Sequence, residues 1–131
     1  MNANTQHDIA KLLLRLTLGS LVLLHGIAKL NGGLSGIVRL VESHGLPGFV
    51  GYFVLIGEVI APLMVLAGFH ARIGAALIAV NMLVAVWLVH MGDLGRFNGQ
   101  GGWALELQAM FFAAAAALSL LGPGGYSVNG R

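Results

Sequence analysis

Glu58, His25 and Lys29 are the side chains in this sequence whose types and placement suit proton chemistry inside an apolar environment. Glu58 interrupts a hydrophobic run from Phe49 to Phe69. It lies about nine residues into that run, roughly 13 Å deep at about 1.5 Å per residue, which is near the middle of a bilayer. A carboxylate there is too short to reach water, so it needs a buried partner or a proton, and an ionisable group at that depth is a functional hypothesis by default. Pro62 follows four residues later. Proline has no N–H and its ring clashes with the carbonyl four residues back, so a freed backbone acceptor and the carboxylate of Glu58 fall at one kink. His25 and Lys29 stand one turn apart near the end of the first apolar run and are the candidate partners of Glu58.

His90, Trp103 and Glu106 extend the set. Three chemistries fit it. A quinone needs a donor to its carbonyls, a nearby proton carrier and lipid access for its tail, and His25 and Lys29 with Glu58 supply the first two. His90 or Glu106 would link such a site to water, and Trp103 would stack on the ring or anchor at the interface. Haem or metal ligation by His25 and His90 on facing helices ranks lower, because two histidines without local ligand spacing are a weak signal, and no metal is assigned. The third is transport or lipid binding with Glu58 as the substrate or proton site. Against all three stands a structural alternative. In that reading Lys29 snorkels, Glu58 bonds to a neighbouring helix, His90 and Glu106 mark helix ends, and Arg15 snorkels toward the opposite surface.

The elements that must position these residues read as helices. An apolar run from about Ile9 to Leu30 has the ~20 residues that a bilayer core requires. Arg15, Gly19, Val22, Gly26 and Lys29 recur on one narrow face of it, and the glycines mark that face as a close packing seam. Asn31-Gly32-Gly33 breaks the helix, and Leu34 to His44 follows as a short amphipathic helix in the interface. Further spans are expected at about 49–69, 72–91 and 103–121, the one at 72–91 carrying Asn81 at its middle and His90 at its end. On an ideal helix, Asn81 and His90 are half a turn out of phase and face different neighbours. With four spans, the ends of the first and third and the starts of the second and fourth share one side. That topology gathers His25, Lys29, His90, Trp103 and Glu106 in one leaflet, with Glu58 beneath them.

Composition agrees with a membrane setting. The chain has 131 residues, 57% hydrophobic and only 9% charged, whereas soluble domains carry roughly a quarter charged residues. There is no cysteine, which excludes disulfides and thiolate chemistry, so electrons must pass through something bound. The net charge of +2 comes without a basic cluster, which argues against nucleic acid. One domain is expected over 1–131, with both termini on one side and a weak positive-inside bias placing them in the cytoplasm.

The series Leu14-Arg15-Leu16, His25-Gly26 with Lys29, Gly45-Leu46-Pro47, Gly57-Glu58, the turn from Gly68 to Arg72, Met82 with His90, Gly102-Trp103 with Glu106, and Gly122-Pro123-Gly124 strongly resembles the DoxX family of small bacterial membrane proteins. The resemblance runs from about residue 11 to 128. It implies a four-helix inner-membrane protein, in a wider group that includes the DoxD-type subunit of thiosulfate:quinone oxidoreductase.

The expectation is therefore an all-α, polytopic four-helix bundle with a short interfacial helix between spans one and two. It would bind a quinone or a similar apolar molecule in a polar pocket of one leaflet. Its partners would be the bilayer and either further copies of itself or a redox subunit. The rival from another class is a non-enzymatic transport, lipid-binding or assembly subunit whose buried charges are structural.

Overall fold

The structure, a computed structural model, describes residues 2–33, 35–93, 95–97 and 102–128; the side chains of Lys29, Ile56, Val89, His90 and Asp93 fall outside that description. Helix α1 (Ala3–Gly32) starts under an Asn2 cap, whose side chain accepts from Thr5 N at 2.8 Å, and ends at Gly33 with φ 89°. Its seam is as the periodicity requires. Arg15, Leu18, Gly19, Val22 and Gly26 are buried, while Leu13, Leu16, Leu21 and Leu24 face outward where lipid would lie.

Helix α2 (Ser35–Ser43) buries Val41 and packs with Ile37 and Leu40 against Val54 and Leu88. This apolar side holds the amphipathic helix on the bundle, and its polar side carries Ser35, Arg39, Glu42 and Ser43. The second rod, Val50–Ala67, consists of α3 (Val50–Leu55), a π turn (Ile56–Ile60) and α4 (Ala61–Ala67). Pro62 sits in the first turn of α4, where its missing N–H does least damage. The preceding turn widens to absorb the clash, as π turns commonly do. Gly68, at φ 73°, closes α4 in a left-handed conformation that costs glycine little.

Helix α5 (Ala71–Ala85) continues through a second π turn (Val86–His90) into a short 3₁₀ turn, Met91–Asp93. The expectation that Asn81 and His90 face different neighbours rests on the His90 side chain, which lies outside the described residues. Helix α6 (Glu106–Leu121) has 16 residues, about 24 Å, and is shorter than the expected span because residues 103–105 form a turn rather than helix. Three helices, Ala3–Gly32, Val50–Ala67 and Ala71–Leu88, are long and apolar enough to cross a membrane, and α6 is a shorter apolar one. The four rods close a ring, α1 on α4, α4 on α5, α5 on α6 and α6 on α1, around Val22, Val65, Ile78, Ala115 and Leu118.

Two arginines close the end of the bundle where α4 and α6 stop. Arg15 is 2% exposed, so it does not snorkel. Its Nε donates to Val65 O at 2.9 Å, Nη2 to Leu66 O at 2.9 Å, and Nη1 to Pro123 O at 3.2 Å and Tyr126 O at 2.7 Å. The last carbonyls of a helix lack intrahelical donors, and a planar guanidinium with five N–H groups can serve several at once. Arg72 does the same for α6, donating through Nη1 to Ser119 O and Leu120 O at 3.0 and 2.7 Å. The chain after α6 is thereby strapped across the end of α4, where Val128 N also donates to Ala67 O at 3.2 Å.

Candidate functional site

The site begins with the kink. The carboxylate of Glu58 projects from the first π turn into the interior and is 2% exposed. Asn81, 5% exposed at the middle of α5, donates from Nδ2 to Glu58 Oε1 at 3.1 Å. Two glycines permit this approach. A Cβ on Gly57 would lie 2.8 Å from Asn81 Cβ, Cγ and Oδ1, so any larger residue would push α5 away. On the opposite side, a Cβ on Gly26 would strike the Glu58 carbonyl oxygen. That oxygen is the acceptor whose α-helical donor Pro62 removes, and the bare Cα of Gly26 covers it. Three segments, α1, the π turn and α5, thus meet at Glu58.

A crevice of about 190 Å³ opens between the second rod and α5 beside this pair. Gly57 and Asn81 line it together with Val50, Phe53, Val54, Leu77, Val80 and Val84. Phe53 and Val80 are exposed on the outer surface of the bundle, so the crevice faces the lipid. Its volume is below the ~300–1,000 Å³ of a pocket that encloses a whole ligand, which suits a single ring whose tail stays outside. A second crevice of about 250 Å³ lies between α5 and α6, lined by Met82, Trp87, Trp103, Gln108 and Phe112 among others.

The remaining residues singled out in the sequence are distributed around this centre. His25 is exposed and sets its ring edge-on to Phe111 of α6, with centroids 5.8 Å apart. Trp103 lines the second crevice. Glu106 is exposed at the start of α6 and folds back over Gly102, where a Cβ would be 2.5 Å from its Oε2. The inward face of α6 carries Phe111, Ala115 and Leu118, and Gln108 rather than Glu106 shares their helical phase. Lys29 belongs to the last turn of α1 and His90 to the second π turn, but their side chains lie outside the described residues. Among the described residues, no group of three or more His, Asp or Glu side chains gathers as a metal site would.

Asn81 and Gln108 are the inward polar residues that the sequence reading left without a role. For Asn81 the available signal was an uncharged amide at the centre of an apolar helix, where a polar group faces the bundle interior and pairs.

A polytopic helical membrane protein with a buried carboxylate–amide pair beside a lipid-facing crevice is the class that the fold and site define. More particularly, the chain belongs to the DoxX family, whose model matches residues 10–91 and so includes Glu58, Asn81 and both π turns. It is 32% identical over 110 residues, 84% of this chain and 81% of the relative, to a Bacillus subtilis (strain 168) protein named "Putative oxidoreductase CatD". No solved structure matches the chain significantly.

Proposed function

We propose that this chain is the quinone-binding membrane component of an oxidoreductase in a bacterial inner membrane, with Glu58 as the proton-accepting group and Asn81 as the hydrogen-bond donor that orients it. The observation that carries this reading is the bond between Asn81 and Glu58, 3.1 Å, with Asn81 lining a crevice open to lipid and the carboxylate buried behind it. A quinone is delivered from the bilayer, presents a flat ring of carbonyls to donors, and takes up or releases protons with its electrons. The chain offers each complement: apolar walls from Val54, Leu77 and Val84, an amide donor with two N–H groups, and a carboxylate. Oxidation of a hydroquinone would release two electrons and two protons. The protons would leave through Glu58 toward the side on which His25, Lys29 and His90 end their helices. The electrons would go to a redox centre on a partner subunit, since this chain has no cysteine and no dinucleotide motif. The name of the Bacillus relative supports a redox role, and the weak charge bias supports cytoplasmic termini.

The test is binding of decylubiquinone, a short-tailed quinone, to the purified protein in nanodiscs. Saturable binding is expected, weakened at least about ten-fold by Glu58→Gln or Asn81→Leu, the equivalent of one lost charge-assisted hydrogen bond. No saturable binding to the wild type, or equal affinity in both variants, would overturn the proposal. Loss of thermal stability alone would favour the structural role for the pair.

A further inference from the structure

A third concavity lies far from Glu58, where the outer end of α1 passes the end of α6. Its volume is about 590 Å³, and it is lined by His7, Lys11, Leu13, Leu14, Thr17 and Leu121, with Ala10 between them. Its chemistry is graded along one direction. His7, Lys11 and Leu14 fall at i, i+4 and i+7 of α1, and Thr17 follows at i+10, so they line a single stripe of the helix. The stripe is basic at its outer end and apolar at its inner end over about 15 Å. Leu121 is the last residue of α6.

Lys11 is half-buried here. Its Cβ and Cδ lie 3.2 and 3.3 Å from the point where a Cβ of Gly124 would sit, so its stem rests on the chain after α6. The nearest acid in sequence, Asp8, accepts from Gly125 N through Oδ1 at 2.9 Å, which ties α1 to the same strap. Basic groups at the polar end of an apolar trough that runs along the membrane normal match one molecule in charge and shape. We propose that this groove is a binding site for a single anionic glycerophospholipid, with its phosphate on Lys11 and His7 and an acyl chain along Leu13, Leu14, Thr17 and Leu121. A zwitterionic lipid fills the same trough but brings an ammonium to the two basic residues. The site therefore discriminates by headgroup charge, and a bound lipid would brace α1 against α6 at the end that Arg15 closes.

The experiment is native mass spectrometry of the full chain in a neutral detergent. It compares retention of dioleoylphosphatidylglycerol with that of dioleoylphosphatidylcholine at equal concentration. One phosphatidylglycerol per chain is expected, preferred about five-fold, which is the worth of one lysine beside an anionic headgroup. Lys11→Gln should abolish the preference, Lys11→Arg should keep it, and Thr17→Phe should fill the trough and lower retention of both lipids. Equal retention of the two lipids by the wild type, an unchanged preference in Lys11→Gln, or an unaffected Thr17→Phe would each overturn the proposal. If Lys11→Gln is not recovered folded, the wild-type preference and Thr17→Phe decide it.

Discussion

Removing Arg15 should unlock one end of the bundle, and the structure sets the size of the effect. Its guanidinium serves four carbonyls, of Val65, Leu66, Pro123 and Tyr126. Val65 O also accepts from Gly68 N at 3.2 Å and keeps that donor in an Arg15→Ala variant. The other three lose the guanidinium contact. At about 1–3 kcal/mol for each buried acceptor left unsatisfied, the gross loss is about 3–9 kcal/mol. Relief of the cost of burying the charge, and access of water to the part-buried carbonyls of Leu66 and Tyr126, offset part of this, leaving a net destabilisation of about 2–4 kcal/mol. That is a large fraction of a typical folding stability of about 5–15 kcal/mol. The assay is unfolding followed by circular dichroism in detergent, on the full chain and on a chain ending at Leu121. The shorter chain lacks Pro123 and Tyr126, two of the three acceptors that lose their donor, so Arg15→Ala should cost about a third as much there. An equal cost in both backgrounds, or a cost below about 0.5 kcal/mol in the full chain, would refute the strap. Arg15→Lys should fall between, because one ammonium cannot reproduce the spread of the guanidinium fork.

Gly26→Ala should destabilise by about 1–3 kcal/mol through overpacking against the Glu58 carbonyl, whereas Gly36→Ala, with no atom within 4 Å of its added Cβ, should be neutral or stabilising by up to about 1 kcal/mol; paired thermal melts decide both. Asn81→Leu should cost about 1–3 kcal/mol by removing the donor to Glu58 Oε1, and Glu58→Leu/Asn81→Leu should recover part of it, since losing both partners of a buried bond is cheaper than losing one. Gly68→Ala should cost about 1–2 kcal/mol for the left-handed backbone alone, and more from the crowding of Ser127 and Arg15 Nη2, with protease nicking near Tyr126 as the readout.

What was legible in the sequence follows from what is local. The packing seam of α1 could be read because Gly19, Val22 and Gly26 keep an α-helical period through an unbroken helix. The kink at Glu58 could be read because Pro62 acts on the carbonyl four residues back through covalent geometry. That Asn81 bonds to Glu58 could not be read, because the π turn at Ile56–Ile60 adds a residue to one turn and rotates everything after it by about 100°. Basic partners on α1 looked suitable by charge, yet the described bond comes from an amide on α5 that carries no charge to advertise it.

Arg15 and Glu58 show why burial alone does not separate structure from function. Both are 2% exposed and ionisable, and both lie on helices that a hydropathy scan treats as uniform. Arg15 is met by backbone carbonyls, which every residue carries and no sequence pattern reveals, at a place where two helices end and such acceptors are in surplus. Its charge is consumed in closing the fold, and no crevice described here is lined by it. The carboxylate of Glu58 is held mid-helix, where acceptors are otherwise paired. Its amide partner lines an opening to the lipid, and its own backbone is kept in a widened turn by a proline and a glycine contact. A bundle needing only stability would be served as well by leucine at both positions of that pair. The arrangement around Glu58 is thus costly to maintain and borders an opening to the membrane through Asn81, whereas the arrangement around Arg15 is costly and sealed, and that difference in access is the ground on which we propose Glu58 as the site of chemistry.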